Sequence, residues 1–145
     1  MATVYETYAA ALRNETADLP PGTARVGVVR RPFGWFHAVV DENVPALGPP
    51  ADLLDAVKDR QAAFEADGLD GAAAVERAWA AVDFAARYDA YLETDPEAAA
   101  AVDRLLERVG DGTDVAVVCY EAPDKPCHRH RLRERLLERL EAGTE

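Results

Sequence analysis

Apolar positions follow two rhythms along this chain. Two short, β-branched runs are continuous: Arg25-Val26-Gly27-Val28-Val29-Arg30 and Val115-Ala116-Val117-Val118-Cys119. Each is bounded by turn-forming residues and predicts a buried strand. The second run is apolar throughout, the pattern of a central parallel strand covered on both faces. Val4 to Tyr8 predicts a further short strand, and Tyr8 to Arg13 a helical turn or two. Elsewhere the spacing is helical. Leu53, Leu54, Val57 and Phe64 follow a helix start at Pro50-Ala51-Asp52. Val75, Trp79, Val82 and Ala86 form one stripe, and Phe84, Tyr88 and Tyr91 another, of a single helix from about residue 72 to 92. Asp95 and Pro96 cap and open a third helix, with Val102, Leu105, Leu106 and Val109 inward and Gly110 at its end. The last runs from about Cys127 to Ala142, with Leu132, Leu136 and Leu140 on one face. Between residues 33 and 50, Gly34, Pro45, Gly48, Pro49 and Pro50 predict mostly loop. Strands interleaved with helices give an α/β fold: a small, mostly parallel sheet layered with helices, in a single compact domain over residues 1–145.

Charge changes this picture in one place. The net charge is −11, which disfavours wholesale coating of nucleic acid or anionic membrane. Of 16 basic residues only Lys58 and Lys125 are lysine. An acidic, lysine-poor, alanine-rich chain resembles proteins of a high-salt cytoplasm, and a GC-rich genome gives the same bias. Residues 125–139 nevertheless carry six basic and two acidic side chains. That segment is a candidate anion or nucleic-acid site, or a solvated helix face whose arginines pair with nearby glutamates, as in Arg131–Glu134 or Arg135–Glu138. No stretch is apolar enough to span a bilayer, and the start of the chain lacks the basic-then-apolar pattern of a secretory leader. With two cysteines and no such leader, a cytoplasmic protein is expected.

In open α/β sheets ligands bind beyond the carboxyl ends of the strands. One strand ends at Arg30 and Arg31, followed by Trp35 and His37; the other ends at Cys119, Tyr120 and Glu121, followed by Cys127, His128 and Arg129. If both strands are parallel, these residues converge on one rim. Cys127 opens a helix, where unpaired N–H groups and neighbouring positive charge favour a thiolate. His128 shares the stripe of Leu132 and Leu136 and therefore faces the sheet, as a base, a ligand or a satisfied core histidine. Glu121 is a proton carrier, or a partner that holds Arg129 in place. Cys119, Glu121, Cys127 and His128 also have the inventory of a zinc site, but adjacent helical residues diverge by about 100° and rarely share one ion.

The run Val-Ala-Val-Val-Cys119-Tyr-Glu121 followed by Cys127-His128-Arg129 at a helix start resembles the C-terminal signature of the family called domain of unknown function 488. Val4-Tyr5-Glu6-Thr7-Tyr8, the stretch through Arg30-Arg31-Pro32-Phe33-Gly34-Trp35, and Pro50-Ala51-Asp52-Leu53-Leu54 are similar to one branch of it. The resemblance covers most of the chain. It implies a compact α/β domain with Arg30, Cys119, Glu121, Cys127, His128 and Arg129 on one rim, and it implies no activity.

The expectation is a thiolate- and arginine-lined site for a small anionic ligand, such as a nucleotide or another phosphate-bearing molecule, with no cofactor called for. Cys127 would be the nucleophile or redox centre, with Cys119 beside it. His128 or Glu121 would move protons. Arg129, Arg30 and Arg31 would clamp the anion, and Trp35 and Tyr8 would line the ligand. A nucleic-acid module built on the 125–139 helix and a Cys/His/Glu metal site are the alternatives.

Overall fold

The structure, a computed structural model, describes residues 2–32, 34–120 and 127–142. Four strands, β1 (Val4–Tyr8), β2 (Ala24–Gly27), β3 (Glu42–Asn43) and β4 (Val115–Cys119), form a parallel sheet in the order β1-β4-β2-β3. The apolar run 115–119 is therefore central, and each of its residues is buried. Alternation along β4 splits the core. Val115, Val117 and Cys119 join the larger cluster, while Val118 meets Ala9, Leu12 and Phe36 on the opposite face.

The smaller face is covered by α1 (Ala9–Arg13) and α2 (Phe36–Val39), and the larger by α3 (Ala51–Ala66), α4 (Gly71–Ala81), α5 (Phe84–Thr94), α6 (Pro96–Gly110) and α7 (His128–Ala142). The helix expected over 72–92 is two helices. Asp83 adopts the left-handed conformation at φ 55°, which reverses the chain and stacks Phe84 on Trp79 with ring centroids 3.8 Å apart. Aspartate tolerates that conformation better than most residues. The expected 33–50 loop carries α2, β3 and a single 3₁₀ turn, Pro45–Leu47. The second strand is shorter than its apolar run, although the Val28 N–H still donates to the Val118 carbonyl at 3.0 Å. Beyond it, the Asn43 side chain takes over the role of a neighbouring strand. Its Oδ1 accepts from the Val29 N–H at 3.1 Å and its Nδ2 donates to the Val29 carbonyl at 3.0 Å.

Asp95 caps α6 as its sequence predicts, accepting from the Ala98 N–H at 3.0 Å with Pro96 in the first helical position. Asp95→Ala is expected to cost about 1 kcal/mol, read as a lower denaturant midpoint with an unchanged slope.

Candidate functional site

Beyond the carboxyl ends of β2 and β4 lies a cavity of about 460 Å³. Its floor is Val29, Arg30, Arg31, Cys119 and Tyr120 at the strand ends, with Cys127 and His128 at the start of α7. Its opposite wall comes from α3, α4 and α5 and includes Leu54, Lys58, Gln61, Trp79 and Phe84. The two strand ends and the sulfur before α7 thus meet around one hollow, most of whose lining is apolar.

Cys119 and Cys127 are buried at 2% and 4% exposure, and their sulfurs are joined as a disulfide. The two sulfurs have different neighbours. The Arg129 Nη1 donates to Cys119 Sγ at 2.8 Å, and the Arg129 Nε donates to Glu6 Oε1 at 3.3 Å. This guanidinium is only 1% exposed, and the ring of Tyr8 lies 5.9 Å from it. Cys127 instead faces a histidine: His128 Nδ1 is 3.7 Å from Cys127 Sγ. The other ring nitrogen, Nε2, lies 2.5 Å from the Val28 carbonyl oxygen. A carbonyl only accepts, so Nε2 carries the proton and the Nδ1 lone pair points at the sulfur. Burial pushes the His128 pKa down to about 4, aided by the positive charge of Arg129, while the Val28 bond opposes the shift. The ring is therefore neutral at neutral pH.

The expected arginine clamp is not assembled as the sequence reading had it. Arg129 lies beneath the sulfurs rather than among the residues lining the cavity, because its buried charge is drawn to Glu6 on β1. Arg30 reaches the rim, but its Nε donates to the Pro49 carbonyl at 3.1 Å and its Nη2 to the Gly48 carbonyl at 3.2 Å and the Tyr91 hydroxyl at 2.5 Å. It braces the 46–49 turn, whose Ala46 and Leu47 carbonyls also accept from the hydroxyls of Tyr91 and Tyr88. Arg31 is at the rim and half-exposed, 3.5 Å from Asp55. Trp35 lies outside the cavity, 39% exposed, with the Arg13 guanidinium 4.6 Å over its ring. Past Gly34, at φ 61°, the chain packs α2 against α1 on the other face of the sheet, which carries Trp35 away. Tyr8 touches Arg129 and does not line the cavity. Glu121 lies outside the described residues.

Lys58, Gln61, Trp79 and Phe84 line the cavity without having been expected there. One signal was present for the first, since Lys58 is one of two lysines in an arginine-dominated chain.

The remaining arginines of α7 fasten the helix to the body. Arg131 forks onto Asp89 of α5 and also reaches Glu134; Arg135 meets Glu93; Arg139 meets Asp103 of α6; and the Arg133 Nε donates to the Val4 carbonyl. Among the described residues no group of three or more His, Cys, Asp or Glu side chains is placed to hold a metal ion, and no helix is long and apolar enough to cross a membrane.

The family model described as the active DUF488-N3 subclade, DUF488-N3a, matches residues 9–140. No curated protein and no solved structure matches the chain.

Proposed function

The chain belongs to the DUF488 family, and from that premise and the cavity's chemistry we propose that it is a cysteine-dependent protein acting on a small anionic molecule, with Cys127 as the reacting sulfur. One observation carries this reading: the Nδ1 lone pair of a tautomer-locked His128, aimed at Cys127 Sγ in the cavity wall. A neutral imidazole in that position accepts a hydrogen bond from the Cys127 thiol and orients the sulfur, whose proton passes to solvent as it bonds to carbon, phosphorus or another sulfur. The N–H groups of the first turn of α7 favour the negative charge that builds on the sulfur just before it. Arg31 and Lys58 at the cavity supply local positive charge in an otherwise acidic protein, which suits a carboxylate or phosphate group. Trp79 and Phe84 offer the apolar body of such a molecule a wall.

The reading takes the protein as cytoplasmic, where disulfides are transient and the thiol form is the working one. Its test is alkylation of the fully reduced protein by iodoacetamide across pH, followed by mass spectrometry. Cys127 is expected to titrate below the free-thiol value of about 8.5. His128→Gln, which keeps a donor for the Val28 carbonyl, is expected to slow alkylation at neutral pH at least about tenfold. Inorganic pyrophosphate is expected to protect the sulfur. A thiol that titrates no lower than a free one, or a rate indifferent to His128, removes the proposal.

A further inference from the structure

The cavity holds two sulfurs, and the reading above uses one. Both line the same hollow, and they are served by opposite chemistry: a buried guanidinium on Cys119 and a neutral imidazole on Cys127. We propose that Cys119 and Cys127 are a working dithiol–disulfide couple that exchanges with low-molecular-weight thiols bearing an anionic group, with Cys127 the exchanging sulfur and Cys119 the leaving group. The proposal rests on the cavity reading above and adds its reaction type and substrate class.

The asymmetry follows from where charge is tolerated. When a substrate thiolate attacks Cys127 Sγ, a new sulfur–sulfur bond forms there. The Cys119–Cys127 bond breaks, and its electron pair leaves on Cys119. That anion is formed against the Arg129 guanidinium, which already donates to Cys119 Sγ at 2.8 Å and is held by Glu6. Attack at Cys119 would instead expel the anion onto Cys127, where the N–H groups at the start of α7 and the uncharged Nδ1 of His128 receive it rather than a guanidinium. Exchange is faster when the leaving thiol has the lower pKa, so the first route wins. A second substrate thiolate then attacks the substrate sulfur of the mixed disulfide and leaves Cys127 reduced. In total, two substrate thiols are oxidised to their disulfide and the protein disulfide is reduced to two thiols. The same steps in reverse oxidise the protein with a low-molecular-weight disulfide. Arg31 and Lys58 at the cavity select the anionic substrate.

The test uses full-length chains and two probes of opposite charge: dithiodiglycolate, with two carboxylates, and cystamine, with two ammonium groups. Salt is held at about 1 M, where the Debye length is about 3 Å and the protein's overall negative charge no longer acts at a distance. Mass spectrometry follows adduct formation. Cys119→Ser is expected to trap a stable mixed disulfide on Cys127, formed faster with dithiodiglycolate than with cystamine. On the oxidised wild-type chain, thioglycolate is expected to add to Cys127 rather than Cys119 by at least about tenfold, read from the adduct after acid quenching. The reduced wild-type chain is expected to pass through the adduct and close to the internal disulfide, releasing thioglycolate. Equal adduct on the two sulfurs of the oxidised chain, a preference for cystamine, or a reduced wild-type chain that stops at the adduct overturns the proposal. If iodoacetamide modifies Cys127 as expected above while dithiodiglycolate leaves no adduct on Cys119→Ser, the exchange fails and the cavity reading stands. If neither reagent reaches Cys127, both fall together.

Discussion

Acidification from about pH 7 to about pH 4 is expected to cost the folded chain about 3 kcal/mol through His128 alone. The side chain is 9% exposed, and burial pushes its pKa from 6.5 down to about 4. In the unfolded chain the imidazole takes up a proton below its ordinary value, while in the folded chain it stays neutral until much lower pH. The unfolded state therefore binds more protons between the two values. Stability is complete above about pH 6.5, falls through this window, and levels off once the folded ring is also protonated. Arg129 deepens the effect, because its buried cation opposes a second positive charge beside it. Carboxylates across this acidic protein lose charge over the same range and relieve repulsion, so the comparison must be made against a variant. His128→Gln keeps the donor to Val28 and cannot ionise. Urea unfolding at a series of pH values is expected to show the wild type losing about 3 kcal/mol more than His128→Gln between the two ends. Parallel curves for the two proteins would mean that the ring is solvated, and the fixed tautomer assigned to it would have to be abandoned. The same measurement thus bears on reactivity, since only a neutral ring presents Nδ1 to the sulfur.

The parts of this site that were legible in the sequence are those fixed by local chemistry. A short, β-branched apolar run between turn residues reads as a covered strand, which places Cys119 at its end; Leu132 and Leu136 fix the face of α7 to which His128 belongs. With the strands parallel, a strand end and the helix start that follows it share one rim, and both sulfurs line the same cavity there. What was not legible depends on distant partners. Arg129 reads as an exposed clamp because nothing near it in sequence neutralises it, yet Glu6 lies 123 residues away. Arg30 reads the same way until the turn at 46–49 folds back to offer its carbonyls. Trp35 follows Arg30 by five positions, but a left-handed Gly34 sends it to the opposite face. The wall made by Lys58, Gln61, Trp79 and Phe84 requires the helix over 72–92 to break, and the only local sign of that break is an aspartate able to take a left-handed conformation.

That turn at 46–49 packs tightly against the Arg30 backbone, and Gly48→Ala is expected to destabilise the protein by about 3 kcal/mol. A Cβ at Gly48 would stand 2.5 Å from the Arg30 backbone nitrogen and 2.9 Å from its Cα. Both are main-chain atoms of the segment that runs on from β2, so neither can rotate aside as a side-chain tip would. The Gly48 backbone itself is ordinary, at φ −77°, so the cost is one of space rather than conformation. Relief requires the turn and the Arg30 segment to separate. Separation lengthens the bonds from Arg30 to the Gly48 and Pro49 carbonyls and disturbs the Tyr91 hydroxyl that shares that guanidinium. Those contacts fix Val29 and Arg30 as part of the cavity floor, next to the Val28 carbonyl that holds His128. Loss of stability and loss of Cys127 reactivity are therefore expected together: a midpoint of thermal unfolding lower by roughly 6 to 12 °C, and slower alkylation of the reduced protein at a temperature where the variant is still folded. Gly112→Ala is the control, since that glycine has nothing within 4 Å of its Cβ direction and sits at φ 97°, in a turn that precedes β4 at the end opposite Cys119. It is expected to lower stability through conformational strain alone and to leave the reactivity of the sulfur unchanged. A Gly48→Ala protein with wild-type stability would show that the turn is loose, and Arg30 could then no longer be regarded as its brace.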